Sequence, residues 1–245
     1  MDKKNHQVYG IRAIIEAVNA NEEVDKVFIQ KGLRGDLIKE LESLLRRNDI
    51  TVSYVPPEKL NRLTKNNHQG AVANISPISF HSLEELVEKA ETNEKPALFL
   101  LLDQLSDVRN FGAIIRTAEC TGVNGIIIQK KGAAPVTSDT IKTSAGAAFK
   151  VPIAKVDHLK DAIFYLQSSG VKVISATEKT NNSVYDISLK ESIAIVMGSE
   201  DRGISPSILK TSDELAKLPL LGEIGSLNVS VACAVFLYEA VRQRL

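Results

Sequence analysis

The stretch ALFLLLDQLSDVRNFGAIIRTAECTGVNGIIIQ, residues 97–129, decides the fold of this chain. Its beginning, residues 97–105, is apolar almost throughout, as is expected of a strand that is covered on both faces of a sheet. A helix is predicted from about Phe111 to Cys120, and Gly122 stands where that helix would stop. The run GIIIQ (125–129) then predicts a second buried strand. A strand, a helix and a strand in this order predict neighbouring parallel strands of an α/β sheet.

The same alternation continues to the end of the sequence. Further helices are predicted near 137–145 and over 157–168, and a last helix from about Asn228 to Arg244. Further strands are predicted near 151–154 and over 171–175 and 193–197. The sequence therefore predicts that residues 96–245 form a mostly parallel sheet with helices on both faces.

The first part of the chain predicts a smaller α/β unit, residues 1–76. Helical spacing is present over 9–18 and 36–47, with Asp36 as a plausible N-cap, and three short strands are predicted over 26–30, 51–55 and 71–75. Residues 77–95 contain Pro77, an acidic helical stretch (82–91) and the polar run TNEKP, and we expect them to be a linker between two domains.

Composition excludes some classes of protein and favours none. The 30 Lys and Arg residues balance the 30 Asp and Glu residues, so any surface that binds nucleic acid must be a local one. Cys120 and Cys233 are too few for a disulfide framework or a zinc site, and the four histidines lack metal-ligand spacing. Without a signal peptide pattern or a membrane-length apolar run, we expect a cytoplasmic protein that binds neither a metal nor a membrane.

The first polar loop that could bind a ligand follows the strand at 97–105. Asn110 and Arg116 lie around the start of the next helix, where free backbone amides suit a phosphate or a carboxylate. Six residues separate them, which places them about 120° apart around a helix, so they would approach one ligand from different angles. The alternative is that Asn110 caps the helix and Arg116 is simply solvated.

The second such loop is VMGSEDRGIS (196–205), where a buried strand ends at Gly198 and Glu200 follows. Glycine at a strand end allows a ligand to approach the backbone closely. The alternative is a plain turn before a short helix that Ser205 caps, with Pro206 in its first position.

The third loop is LPLLGEIGSLNVSVACAVFLYEA (218–240), in which Ser226 and Asn228 stand at the start of the last helix. The alternative for this loop is that Ser226 is an ordinary N-cap and that the apolar residues are ordinary core. That alternative leaves Asn228 unexplained. The residues alone therefore predict an α/β protein with a polar, glycine-rich ligand site at one edge of its sheet.

These three loops, in this order, resemble the three motifs of the SpoU (TrmH) family of RNA ribose methyltransferases, over roughly residues 97–245. The resemblance implies a SPOUT-type parallel sheet with a trefoil knot, and a homodimer whose active site lies at the subunit interface. It also implies S-adenosyl-L-methionine as methyl donor and a ribose 2′-hydroxyl of RNA as acceptor. Catalytic roles fall by resemblance on Asn110, Arg116, Glu200, Ser226 and Asn228. Cofactor binding falls on Thr177, Met197, Gly198, Ser199, Glu200, Leu218, Leu220, Ser226 and Leu227.

The first 76 residues add a second resemblance. VYGIRAIIEAV (8–18) and NHQGAVA (67–73) are similar to the RNA-binding domain of bacterial enzymes that methylate a guanosine of large-subunit (23S-type) ribosomal RNA, the RlmB type. That domain is similar to a ribosomal-protein fold. The residues expected to contact RNA are Arg12, Lys65, Asn67, His68, Gln69, Arg109 and Arg116.

Three alternatives to a ribosomal RNA methyltransferase stay open at this stage. The chain could be a transfer RNA 2′-O-methyltransferase, a noncatalytic RNA-binding or ribosome-assembly protein, or an unrelated nucleotide-binding enzyme. The role that the family gives to Arg116, activation of the 2′-hydroxyl, is also open, because a guanidinium has no acceptor atom. Arg116 could instead stabilise a developing alkoxide, which we favour, or could act as a base after desolvation at a dimer interface.

Overall fold

The computed structural model describes residues 7–245, whose contacts divide into two compact units. The first unit comprises the described residues up to Ser79 with the short segment 135–138, and the second comprises the remainder from Phe80 to Leu245. Residues 1–6, which include His6 and the start of the predicted domain 1–76, lie outside the described residues.

The first unit is a four-stranded mixed sheet with three helices. It contains the three strands that the sequence predicts and a further short strand, β1, that was not predicted. The strands lie in the order β1-β4-β2-β3, in which only β2 and β3 are parallel. The amphipathic helices α1 and α2 bury Ile14, Leu41 and Leu45 completely in its core. Its elements are β1 Gln7–Tyr9, α1 Ile11–Asn19, β2 Val24–Gln30, α2 Asp36–Arg47, β3 Thr51–Val55, α3 Pro57–Leu63 and β4 Ala71–Ile75.

The second unit contains a six-stranded sheet in which every pair of neighbouring strands is parallel, in the order β10-β8-β9-β5-β6-β7. The predicted α/β class with a parallel sheet is confirmed. Its elements are α4 Leu83–Glu91, β5 Leu98–Leu102, α5 Val108–Cys120, β6 Gly125–Gln129, α6 Ser138–Thr143, β7 Ile153–Val156, α7 Leu159–Ser168, β8 Lys172–Ala176, β9 Ile193–Met197, α8 Pro206–Thr211, β10 Glu214–Ala216 and α9 Val229–Arg244.

Burial on both faces of the sheet explains the continuous apolar run of β5. Phe99 and Leu101 belong to a core that they share with apolar residues of α4, α7 and α8. The alternate residues of the strand project to the other face, where α5 packs against α9. All five residues of β5 are buried, which is the state that the sequence predicts.

The segment 77–95 differs from the expected linker. Ser82 caps α4 through a capping box with Glu85, and the apolar side of that helix, including Leu86 and Val87, lies in the core of the second unit. The spacing of these apolar residues is that of an amphipathic helix, and such a helix is stable only when a core covers its apolar side. The contact boundary accordingly falls after Ser79, before this helix.

Parallel pairing places the carboxyl ends of all six strands at one edge of the sheet. The loops that follow β5, β8, β9 and β10 therefore leave the sheet at the same edge. These loops hold the three polar motifs that the sequence analysis singled out.

Candidate active site

Three polar side chains from separate segments of the chain meet at the carboxyl edge of the sheet. The side-chain amide of Asn228 donates through Nδ2 to Oε1 of Glu200, at 2.5 Å, and to Oδ1 of Asn110, at 3.0 Å. Glu200 follows β9, Asn110 lies in the first turn of α5, and Asn228 immediately precedes α9. One side chain from each motif thus takes part in a single hydrogen-bonded cluster, which we call the polar triad.

The orientation of the Asn228 amide is fixed by the start of α9. Its Oδ1 accepts from the backbone N–H groups of Ser230 (3.0 Å) and Val231 (3.4 Å) and from Oγ of Ser230 (2.6 Å). Because the oxygen is used by this N-cap, Nδ2 is the atom that faces Glu200 and Asn110. The N-cap is therefore Asn228, and the alternative that Ser226 caps this helix is wrong.

Asn110 does not cap its own helix either. Asp107 is the N-cap of α5, and its carboxylate accepts from the backbone N–H of Asn110 at 2.7 Å. The helix consequently begins at Val108, three residues before the predicted start, because Asp107 supplies the cap earlier in the chain. The Asn110 side chain is left to accept from Asn228.

Arg116 stands apart from the polar triad. It lies six residues beyond Asn110 on α5, which is about 9 Å along the helix axis. Its side chain is exposed, and within residues 7–245 none of the hydrogen bonds or ion pairs described involves it. The structure of one chain thus brings Asn110, Glu200 and Asn228 together but not Arg116.

A cavity of about 580 Å³ opens beside the polar triad, between the loops that follow β8, β9 and β10. Ser226 and Asn228 contribute to its wall, as do all the residues that the sequence predicted for cofactor binding. Side chains that the sequence analysis missed also contribute charge to this wall: Glu178, Asp201, Arg202 and Lys217. Glu178, Asp201 and Lys217 are each adjacent to a predicted residue, and Arg202 follows Asp201 in the same loop, so charge next to the predicted residues was the available signal.

The loop after β9 folds back on itself at the mouth of this cavity. The backbone N–H groups of Ser199 and Gly203 each donate to the carbonyl oxygen of the other, at 3.2 and 2.9 Å. A Cβ atom on Gly198 would lie 2.2 Å from the carbonyl carbon of Gly203, so only glycine allows this close approach. The turn presents Glu200 towards Asn228.

Family models match both parts of the chain. A model of the SpoU rRNA Methylase family matches residues 97–238, and a model for RNA 2′-O ribose methyltransferase substrate binding matches residues 7–81. This chain belongs to the SpoU family. The family resemblance drawn from the three motifs is thereby confirmed.

Relatives of this SpoU protein match over its whole length. YacO of Bacillus subtilis, named as a TrmH family tRNA/rRNA methyltransferase, is 31% identical over 244 residues, 100% of this chain and 98% of YacO. A TrmH family tRNA/rRNA methyltransferase of Staphylococcus aureus is 34% identical, over 97% of this chain and 96% of its own. The crystal structure of the SpoU methyltransferase AviRb from Streptomyces viridochromogenes with AdoMet superimposes with a TM-score of 0.63 at 23% identity, covering 99% of this chain and 91% of that chain.

As a SpoU methyltransferase, the protein transfers a methyl group from S-adenosylmethionine to a ribose 2′-hydroxyl of RNA. Among residues 7–245, no set of His, Cys, Asp and Glu side chains is arranged to hold a metal ion. In the same range, no helix combines the length and the apolar character needed to cross a membrane.

The first unit of this SpoU protein has a polar groove after α3. His68 fixes its shape, because its ring Nδ1 accepts from the backbone N–H of Gly70 (3.0 Å) and its Nε2 contacts Oδ1 of Asn61 (2.9 Å). A neutral ring that accepts at Nδ1 must carry its proton on Nε2, which then donates to Asn61. The groove is lined by Asn61, Thr64, Lys65, Asn66, Asn67 and His68.

The other residues expected to contact RNA lie outside this groove. Arg12 is exposed on α1, and Gln69 adopts a left-handed backbone next to the groove (φ 48°). Arg109 is exposed near the start of α5, in the second unit. The sequence prediction includes Lys65, Asn67 and His68 of the groove but not Thr64 and Asn66, nor Asn61 at the end of α3.

Proposed function

We propose that the cavity beside the polar triad holds S-adenosylmethionine and that the acceptor is a guanosine of large-subunit (23S-type) ribosomal RNA. The observation that supports this most directly is the Asn228 amide, which joins one residue from each motif at the wall of a cavity. Transfer to a ribose hydroxyl needs accurate placement of donor and acceptor more than it needs covalent help from the protein.

The charges of the cavity wall suit this cofactor. S-adenosylmethionine carries a sulfonium and an ammonium group, both positive, and a carboxylate. The wall offers carboxylates from Glu178, Glu200 and Asp201 for the positive groups and the cationic side chains of Arg202 and Lys217 for the carboxylate. Leu218, Leu220 and Leu227 provide apolar surface for a flat base, and the backbone around Gly198 provides hydrogen-bonding groups.

In this proposal the bound cofactor supplies an electrophilic methyl group, and the residues of the chain position the attacking oxygen. Asn110, Glu200, Ser226 and Asn228 orient the ribose through hydrogen bonds at the edge of the cavity. Arg116 holds the adjoining phosphate and stabilises negative charge that develops on the 2′-oxygen.

A pH–rate profile of single turnovers tests the role of Arg116. We expect Arg116→Lys to lower the rate and to leave the shape of the profile unchanged, because a lysine keeps the positive charge but not the planar fork. An ionisation near neutrality that vanishes only in the lysine variant would instead identify Arg116 as a base and would overturn the electrostatic role.

The groove at residues 61–68 is the proposed RNA contact of the first unit. Its amides, hydroxyl and imidazole can hydrogen-bond to bases and phosphates without an excess of positive charge, which agrees with the balanced composition. We include Arg12, Gln69 and Arg109 in the RNA-binding surface, as the resemblance implies. Asn67→Ala and Lys65→Ala should raise the Kd for RNA and leave the Kd for the cofactor unchanged.

Transfer RNA is the second candidate substrate, because the relatives are named as tRNA/rRNA methyltransferases. Purified protein is incubated with methyl-labelled S-adenosylmethionine and either undermethylated ribosomal RNA or transfer RNA, and the labelled nucleosides are identified after digestion. We expect 2′-O-methylguanosine from the large-subunit RNA. Label in transfer RNA alone would overturn the proposed substrate and keep the reaction. Glu200→Gln, with an uncharged side chain of the same length, is the matched control and should incorporate little label into either RNA.

We further propose a homodimer with an interfacial active site, a trefoil knot in the C-terminal region and a cytoplasmic location. For the dimer, the support is that α9 is apolar on its outer side as well, where Val231 and Tyr238 are 50% and 53% exposed. For the location, the support is that Cys120 and Cys233 are both free thiols. The knot is proposed from the family alone. An experimental structure in which the backbone of residues 190–245 passes through no loop of the chain would contradict it.

A further inference from the structure

A buried carboxylate lies beneath the loop that presents Glu200. Asp103 is the first polar residue after β5, and its side chain is buried, with only 2% of the residue exposed. Its backbone N–H donates to the carbonyl oxygen of Met197 at 2.8 Å, which extends the pairing of β5 with β9 by one residue. Its Oδ2 accepts from the backbone N–H of Ser205 at 2.7 Å. Asp103 does not line the cofactor cavity.

The loop 198–205 is held at both ends by these contacts. At its start the backbone continues from β9, and at its end Ser205 is attached to Asp103. Gln104 adds a second attachment, since its Nε2 donates to Oγ of Ser205 at 3.1 Å from a left-handed backbone (φ 55°). A non-glycine residue in that region costs energy, which surrounding contacts must offset.

We propose that Asp103 is a positioning residue for methyl transfer, which acts through the Ser205 backbone to keep the Glu200 carboxylate at hydrogen-bonding distance from Asn228. This inference rests on the proposed function of the polar triad. A carboxylate suits the task because its charge strengthens the hydrogen bond to a backbone N–H. Only 2% of Asp103 is exposed, which limits competition from water for its carboxylate.

The bond from Ser205 can be removed with little other change. Ser205 has φ −57° and ψ 138°, angles that proline adopts, and its N–H donates to Asp103. Ser205→Pro therefore removes this donor together with the hydroxyl, whereas Ser205→Ala removes the hydroxyl alone. We expect the proline variant to lose about tenfold in single-turnover rate and the alanine variant to lose less than threefold.

Coupling to Glu200 separates positioning from a merely structural role. Single-turnover rates at saturating cofactor and RNA are measured for Asp103→Ala, Glu200→Gln and the double variant. We expect Asp103→Ala to cost about tenfold in the wild-type background and less than twofold in the Glu200→Gln background, because the carboxylate that Asp103 positions is already absent. Asp103→Asn, which keeps an acceptor, should recover most of the rate.

Asp213 supplies the matched control. Its carboxylate accepts from the backbone N–H of Val173, also at 2.7 Å, on strand β8. Asp213→Ala should lower the Tm and show no coupling to Glu200. Hydrogen exchange of residues 198–205 should rise in Asp103→Ala and stay unchanged in Asp213→Ala, a result that does not depend on activity.

Equal rate losses from Asp103→Ala in both backgrounds, or no loss in the wild-type background, would overturn the proposal. Unchanged hydrogen exchange over 198–205 would overturn it as well. A wild-type rate in Glu200→Gln would contradict the proposed function of Glu200 itself, which the single variant reports before any Asp103 variant is compared. The two failures are therefore distinguishable.

Discussion

At the scale of single residues, Asn228 uses one side-chain atom to cap α9 and the other to connect Glu200 with Asn110. Aspartate caps a helix as well as asparagine does, but it would set a second carboxylate against Glu200. We expect Asn228→Asp to change the free energy of unfolding by less than about 0.5 kcal/mol and to lower the single-turnover rate by about 100-fold. Urea denaturation and rapid-quench kinetics measure the two effects. If Asn228→Asp lowers the free energy of unfolding by as much as it raises the activation free energy of methyl transfer, the capping role of Asn228 alone explains the loss of rate.

Gly198 tests whether the shape of the loop after β9 depends on a missing side chain. A methyl group there would meet the backbone of Gly203 at 2.2 Å, and backbone cannot move aside as a flexible side chain can. We expect Gly198→Ala to destabilise the fold by about 1–3 kcal/mol and to weaken cofactor binding, measured by calorimetry. Gly222 is the control, because an added Cβ meets nothing within 4 Å. If both alanine variants bind the cofactor alike, the close approach at Gly198 has no part in binding.

The sequence indicated which residues come together at the cavity better than it indicated their contacts. Glycine and polar residues after buried strands were visible in the chain, and the cavity wall contains all of the predicted cofactor residues. Ser226 and Asn228 are both good N-caps two residues apart, so the pattern could not choose between them. Asp103 was passed over because its importance depends on a backbone N–H 102 residues away.

At the scale of elements, the last residues of α9 fasten the helix to the opposite, amino-terminal ends of strands β5 and β9. Arg244 donates to four backbone carbonyl oxygens, those of Leu189, Pro96, Ala97 and Glu191, at 2.6–3.2 Å. Burial lowers the pKa of its guanidinium, yet an arginine remains charged at any pH at which the protein is folded.

We expect Arg244→Ala to lower the free energy of unfolding by about 2 kcal/mol, because hydrogen bonds from a charged donor are lost at once. Arg244→Lys should recover little, since an ammonium group cannot reproduce the planar fork. Urea denaturation measures both, with Lys89→Ala on the exposed side of α4 as the control for loss of a positive charge. A free energy of unfolding of Arg244→Ala within about 0.5 kcal/mol of the wild-type value is typical of a surface substitution. It would mean that the hydrogen bonds of Arg244 are no more favourable than those that the same groups make to water.

Helices and strands were predictable where burial produces a regular pattern of apolar residues. They were less predictable where single hydrogen bonds or contacts determine where an element begins and ends. The fully buried β5 and β9 and the long α9 follow from their apolar patterns. Strand β1 is only three residues long and was missed, because so short a run has no measurable alternation. Helix α4 was predicted as helical but placed in a linker, since nothing local states which core an amphipathic helix covers.

At the scale of the whole molecule, the separation of Arg116 from the polar triad agrees with the proposed dimer. Arg116 is exposed on α5 and takes no part in the polar triad of its own chain. It could therefore contact the polar triad of a second copy of the chain. The outer side of α9, with Val231 and Tyr238, offers apolar surface for such a contact. An isologous dimer would then contain two equivalent sites, each built from both protomers.

Complementation between two inactive variants tests this arrangement. Arg116→Ala and Glu200→Gln are co-expressed with different tags, and the heterodimer is purified. If Arg116 of one protomer serves the polar triad of the other, one of the two sites in the heterodimer carries both substitutions and the other carries neither. We then expect about half the wild-type rate per dimer. A heterodimer of Glu200→Gln with Glu200→Ala has no intact site and is the control. If Arg116 instead serves its own protomer, every site lacks one residue and the Arg116→Ala/Glu200→Gln heterodimer stays inactive, which would place each active site within a single chain.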